Sequence, residues 1–156
     1  MVAYQLIRRF YIMQALYYFL PFLARCRTSV ILPRVISYFT FLRKSEPPTQ
    51  KIGVAGFCFG GRYALLLTHT GKAQFKTPDG RPLVDACFAA HPSRVSIPKN
   101  IEQAQLPLSI AVGSKDLVMP MNETKKAKAI LEKKKNGEGE VVVYDGAIHG
   151  EHSSQG

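Results

Sequence analysis

Hydrophobic and polar positions along this chain follow two rhythms, and the change falls near residue 50. Residues 10–24 carry no charge and are almost wholly apolar, with Arg8 and Arg9 before them and Arg25 and Arg27 after. The run is shorter than the roughly 20 apolar residues of a membrane span and is interrupted by Gln14 and Pro21. Leu23-Ala24-Arg25-Cys26 is a poor signal-peptide cleavage site. A buried or lid helix is therefore the expectation. Thr28-Ser29 as a cap predicts a second helix to about Phe41, with Pro33 tolerated only near its first turn. Residues 44–50 contain Pro47 and Pro48 and read as a linker.

Beyond residue 50, short apolar runs alternate with helical ones. Strands are predicted at 51–55, 84–89, 108–112 and 140–144. Helices are predicted at 60–69 and 122–135, with Asn122 as N-cap of the latter, and a short turn at 100–105. The first three strands are almost continuously apolar, the pattern of strands covered on both faces. This β-α-β-α order predicts an α/β fold: a mostly parallel sheet of about four strands flanked by helices. Two regions follow, an N-terminal helical, lid-like segment over 1–45 and the sheet-bearing part over 46–156.

Composition refines this picture. At 156 residues with 46% hydrophobic side chains, the chain can bury a modest core. Its net charge of +10 is concentrated early, since residues 1–50 hold seven Arg/Lys against one Glu. The lysines at 125–135 read as the solvated face of a helix, so a nucleic-acid partner is not expected. Cys26, Cys58 and Cys87 are odd in number and lack metal-ligand spacing. That predicts free thiols in a reducing, cytoplasmic setting. His149 and His152 lie close together, but too few ligands accompany them to suggest zinc, and neither metal nor cofactor is expected.

The candidate chemistry centres on Gly56-Phe57-Cys58-Phe59-Gly60-Gly61. Gly-x-nucleophile-x-Gly between a strand and a helix is the nucleophile elbow, a sharp turn whose close backbone approach requires small neighbours. Cys58 occupies the nucleophile position. Asp116, in Gly113-Ser114-Lys115-Asp116, follows the third strand, and His149, in Gly146-Ala147-Ile148-His149-Gly150, follows the fourth. Sites on open parallel sheets gather at these carboxyl ends. The order nucleophile, acid, histidine suits a triad: His149 to move the Cys58 proton, Asp116 to fix the imidazole tautomer, and Cys58 to react as thiolate. Cys87 lies inside an apolar strand and reads as a small hydrophobe. His91-Pro92-Ser93 follows the second strand and is placed to line the pocket.

These motifs, with Tyr144-x-Gly-x-x-His149-Gly150, resemble the dienelactone hydrolase family. The resemblance implies a partial α/β-hydrolase fold and cofactor-free hydrolysis of a small-molecule ester or lactone through a thioester intermediate. It also implies Cys58, Asp116 and His149 as triad and the backbone N–H of Phe59 as an oxyanion donor. Residues 1–50 resemble the helical segment that precedes the elbow in fungal-type members. The family pattern extends further at both ends, with an upstream oxyanion loop and substrate-binding arginines that have no counterpart here. The expectation is thus a chain truncated at both ends. Its first strand would be an open apolar edge and one sheet face would lack helices. The alternative expectation is a catalytically impaired fragment that acts through protein association at that edge; a membrane-surface role for the N-terminal run is a third.

Overall fold

The computed structural model describes residues 2–134 and 139–150. The chain divides into two compact units, one ending at Val35 and the other beginning at Ile36. The first contains helix α1 (Val2–Arg25) and the start of helix α2 (Thr28–Ser45). The described side chains of α1 are exposed through most of its length, Phe10 at 66% and Tyr17 at 73%. Of the expected alternatives, a buried or a lid helix, these exposures depart from the buried one. Apolar residues surround the α1 axis instead of lining one face, so no single neighbour can cover them. Among the described residues no helix is long and apolar enough to cross a membrane.

Helix α2 also departs from the sequence reading. The Arg27 carbonyl accepts from the N–H groups of Val30 and Ile31, so Arg27 occupies the capping position expected of Thr28-Ser29. The helix continues through Pro33 and past Phe41 to Ser45, and the irregular linker shrinks to residues 46–50.

The second unit contains the sheet. Strand β1 (Gly53–Phe57) leads to α3 (Phe59–Leu66), then a one-turn 3-10 helix at Ala73–Phe75 and strand β2 (Ala86–Ala90). Helix α4 (Lys99–Glu102), β3 (Leu108–Gly113), α5 (Met121–Glu132) and β4 (Gly139–Tyr144) follow. The four strands are parallel in the order β1-β2-β3-β4. The register aligns Gly56 with Ala89, Ala89 with Ile110 and Ile110 with Val141. These four residues alternate with outward positions, and Ala89, Ile110 and Val141 face one core with Cys87, Leu108 and Val112. Ala64 and Leu65 of α3, Ile101 of α4 and Ala127 and Leu131 of α5 pack into the same cluster, so the three helices share one face. The opposite face exposes Phe57, Phe88, Val142 and Tyr144. Among the described residues helices therefore cover one face, as the expected loss of covering helices implies, and not both as the apolar strands alone suggest. Among the described residues β1 has a single strand neighbour, as expected of an edge.

Element boundaries differ from expectation for local reasons. Strand β1 begins at Gly53, two residues late, and runs into the elbow. Helix α5 begins at Met121 after an extended Pro120, whose carbonyl accepts from the N–H groups of Glu123 and Thr124. Asn122 sits in the first turn instead of capping it. Cys87 is buried, and loss of hydration pushes its thiol pKa up to about 12, which keeps it inert.

The entry to β1 is fixed by charge. Arg43, 4% exposed, donates from Nη2 to Asp85 Oδ2 at 2.8 Å and from Nη1 to the Gln50 carbonyl at 3.1 Å. The same Asp85 oxygen accepts the Ile52 N–H at 2.7 Å, while the Ile52 carbonyl accepts the Asp85 N–H. Burial opposes ionisation of Asp85, but the Ile52 N–H and the Arg43 guanidinium outweigh it and hold its pKa below the ordinary range. With the folded pKa below the unfolded value near 3.9, the stabilisation is complete above that value and lost as pH falls through the folded one. Asp85→Ala leaves Arg43 buried without its carboxylate, and a loss of about 2–3 kcal/mol is expected in urea unfolding at pH 7. The deficit relative to wild type should shrink towards pH 3; a constant deficit would contradict the ion-pair account.

Candidate active site

Three backbone hydrogen bonds hold the turn between β1 and α3. The Cys58 N–H donates to the Ala90 carbonyl at 3.0 Å, which extends the β1–β2 ladder by one residue. The Cys58 carbonyl accepts from the N–H groups of Gly61 at 3.1 Å and Ser93 at 2.9 Å. Between them Cys58 adopts φ 48° and ψ −115°, a conformation that L residues rarely occupy and that persists only where surroundings over-determine it. The turn lifts the side chain clear of the sheet at the N-terminus of α3. There the Phe59 N–H faces the sulfur and the helix dipole favours negative charge.

Asp116 is 2% exposed and lies early in the β3–α5 loop, three residues past the end of β3. Its Oδ1 accepts the N–H groups of Val118 at 2.7 Å and Met119 at 3.0 Å, and its Oδ2 meets His149 Nδ1 at 2.9 Å. Burial works against its charge, but the Met119 N–H, His149 and the Val118 N–H together lower its pKa. The loop carrying His149 is fastened to the Asp116 loop. The Lys115 N–H donates to the Ala147 carbonyl, the Ser114 N–H to the Tyr144 carbonyl, and Ser114 Oγ bridges Asp145 and the Gly146 N–H. Gly113 makes this seam possible, because a Cβ there would collide with the Ala147 carbonyl.

His149 Nε2 lies 3.2 Å from Cys58 Sγ. A continuous path therefore runs from the Asp116 carboxylate through the imidazole to the thiol, although the three residues come from three different loops. The His149 contact is the largest influence on Cys58 and lowers its pKa; burial opposes this, while the Ser93 hydroxyl and the Phe59 N–H assist. Burial would lower the pKa of His149, but its bonds to Cys58 and Asp116 raise it. The shifts point the same way, towards a thiolate beside an imidazolium.

A model of the dienelactone hydrolase family matches residues 24–155. The chain belongs to the dienelactone hydrolase family. Hydrolase tropI of Talaromyces stipitatus is 28% identical over 107 residues, covering 69% of this chain and 37% of tropI. Hydrolase pyvD of Aspergillus violaceofuscus is 29% identical over 82 residues, covering 53% of this chain and 29% of pyvD. The chain thus spans only about a third of the length of these curated relatives. Among solved structures, a putative dienelactone hydrolase from Klebsiella pneumoniae superposes with a TM-score of 0.57 at 20% identity, over 78% of this chain and 50% of that one. Acyl-protein thioesterase 2 of Zea mays gives 0.53 at 19%, over 76% and 57%. At such identity the likeness carries the fold, a partial α/β-hydrolase sheet with its helices.

Close packing at the turn between β1 and α3 explains two of the glycines. A Cβ on Gly56 would lie 2.5 Å from the Gly60 carbonyl oxygen and 2.8 Å from the Ala64 side chain. On Gly61 it would lie 2.9 Å from Pro92 Cβ. Both are sites where α3 crosses close to backbone.

The sequence reading gave His91 and Ser93 only a place on the pocket wall. His91 is buried, has φ 36°, and its ring stands edge-on to that of His149 with centroids 4.8 Å apart. One ligand atom from each of Cys58, His91 and His149 lies within 4.8 Å of the others. Spacing along the chain could not reveal this group, because it joins three strand ends. The His-Pro-Ser run directly after a predicted strand was the available signal. His69, also buried, bonds through Nε2 to the Asn100 carbonyl at 2.8 Å and belongs to the scaffold.

Gly56→Ala should destabilise the fold by about 1–3 kcal/mol, because the added methyl meets backbone and not a side chain that can move. Gly53→Ala, with open space around the same atom, should cost under about 1 kcal/mol. Thermal unfolding of the two variants measures the contrast, and equal losses would contradict the close approach at Gly56.

Proposed function

We propose that this chain carries the active site of a thiol-dependent hydrolase of carboxylic esters or lactones, with Cys58 as nucleophile, His149 as proton carrier and Asp116 as the acid that orients it. The observation that carries the reading is the pair of hydrogen bonds through His149, 2.9 Å to Asp116 and 3.2 Å to Cys58. A family built on an α/β-hydrolase sheet supports it.

On this reading the Cys58 thiolate adds to the substrate carbonyl carbon while the carbonyl electron pair moves to oxygen. The Phe59 N–H, at the start of α3, stabilises that oxyanion. The C–O bond then breaks, His149 gives the leaving alkoxide its proton, and a thioester remains on Cys58. His149 next takes a proton from water, the hydroxide adds to the thioester, and the thiolate leaves with release of the acid. Asp116 holds the proton on Nδ1, so that Nε2 faces the sulfur in both steps. Cys26, Cys58 and Cys87 are free thiols, and a reducing, cytoplasmic setting suits a chemistry that depends on one of them.

Cys58→Ala should abolish turnover of an aryl ester, and Asp116→Asn should reduce it by about 10²–10⁴-fold. Equal rates for wild type and Cys58→Ala would overturn the proposal. With the Cys58 pKa lowered, alkylation by iodoacetamide should persist below the ordinary thiol value near 8.5 and fall as pH drops through the lowered one. His149→Ala should move that titration upward; an unchanged profile would remove His149 from the assignment.

A second reading, association with another chain at the β1 edge, is favoured by the exposed Phe57 and Phe88 on the uncovered sheet face. It predicts concentration-dependent size in gel filtration that Phe57→Lys abolishes. A monomer at every concentration would exclude self-association.

A further inference from the structure

The close grouping of Cys58, His91 and His149 offers more than an acyl-transfer site. We propose that these three side chains form a binding site for a thiophilic divalent cation of the zinc class, and that its occupancy caps the nucleophile. A tetrahedral zinc, with bonds of about 2.3 Å to sulfur and 2.0–2.1 Å to imidazole, spaces its ligand atoms about 3.4–3.6 Å apart. Cys58 Sγ and His149 Nε2 already stand 3.2 Å apart. All three ligand atoms fall within 4.8 Å of one another, so rotations of the side chains by about an ångström close the site.

The surroundings suit a metal in other respects. Asp116 Oδ2 holds His149 Nδ1 at 2.9 Å, which is the carboxylate–histidine arrangement that fixes the tautomer and makes the other nitrogen a better ligand. Cys58 stands at the N-cap of α3, and the thiolate is the form of cysteine that binds metal. One thiolate and two imidazoles select zinc or a similar borderline-soft ion over magnesium and calcium, which require oxygen. Cys58 and His149 are only partly buried, which leaves the fourth position to water. Binding forms Zn–S and Zn–N bonds and releases to solvent the one proton held between Cys58 Sγ and His149 Nε2. It occupies the sulfur pair and the Nε2 lone pair, so metal and an acyl group exclude each other. The inference stands apart from the hydrolase reading, because binding is measured without substrate.

Chelator-treated protein is titrated with Zn²⁺ by calorimetry, and with Co²⁺ as a spectroscopic probe. One equivalent should bind, with a thiolate-to-cobalt charge-transfer band that Cys58→Ala abolishes. His91→Asn keeps a residue tolerant of the left-handed backbone and should weaken Zn²⁺ binding roughly tenfold or more, since losing even an outer-shell partner costs that much. X-ray absorption on the wild-type zinc complex provides a readout independent of any variant and should show one sulfur and two imidazole scatterers. Stoichiometric binding that survives Cys58→Ala, wild-type affinity in His91→Asn, a single imidazole at the zinc, or no binding at all would each overturn the proposal.

Discussion

The structure depends on one strained residue held by its neighbours. Cys58 is forced to φ 48° by three backbone hydrogen bonds that come from three directions: the end of β2, the first turn of α3, and Ser93 beyond β2. None of these is strong alone, at about 1 kcal/mol each. Together they match the cost of an unfavourable backbone conformation, of order 1–3 kcal/mol. The strain is what projects the thiol above the sheet and aims the Phe59 N–H at it. The bonds exist only because β1 and β2 are paired in a register that sets Phe57 opposite Ala90. Sheet pairing, elbow strain and thiol placement are therefore one property.

The other two side chains arrive by a second route. Strands β3 and β4 pair along their full length, from Leu108 and Gly139 to Gly113 and Tyr144, and the loops that leave them are stitched together through Ser114, Lys115 and Gly146. Asp116 is buried as an anion because two backbone N–H groups and His149 compensate its lost hydration. That fixed charge steadies the imidazole, and the imidazole steadies the thiolate. Polarity passes outward from a buried carboxylate to a partly exposed sulfur.

Much of this was legible in the sequence, for identifiable reasons. The β-α-β-α alternation is a strong periodic signal, and all four strands form close to their predicted positions. The elbow was readable because Gly56 answers a local steric demand; the demand on the helix side falls on Gly61, while Gly60, the second glycine of the motif, has open space around it. Asp116 and His149 could be aligned with strand ends because parallel sheets bring those ends together. What escaped was set by tertiary contacts. Helix α1 carries apolar residues on every side, which fits burial as well as the exposure observed. The start of β1 depends on Asp85, 33 positions beyond Ile52, and on Arg43. His91 joins Cys58 and His149 only once β2 lies between β1 and β3.

The central claim is that the thiol at the elbow is the nucleophile. Acid-quenched intact-protein mass spectrometry during turnover of an activated aryl ester tests it most directly. The account predicts a transient gain in mass equal to the acyl group, mapped to the peptide containing Cys58, labile to hydroxylamine and absent in Cys58→Ala. Turnover without such an adduct, or an adduct on Cys26, Cys87 or a serine, would contradict it.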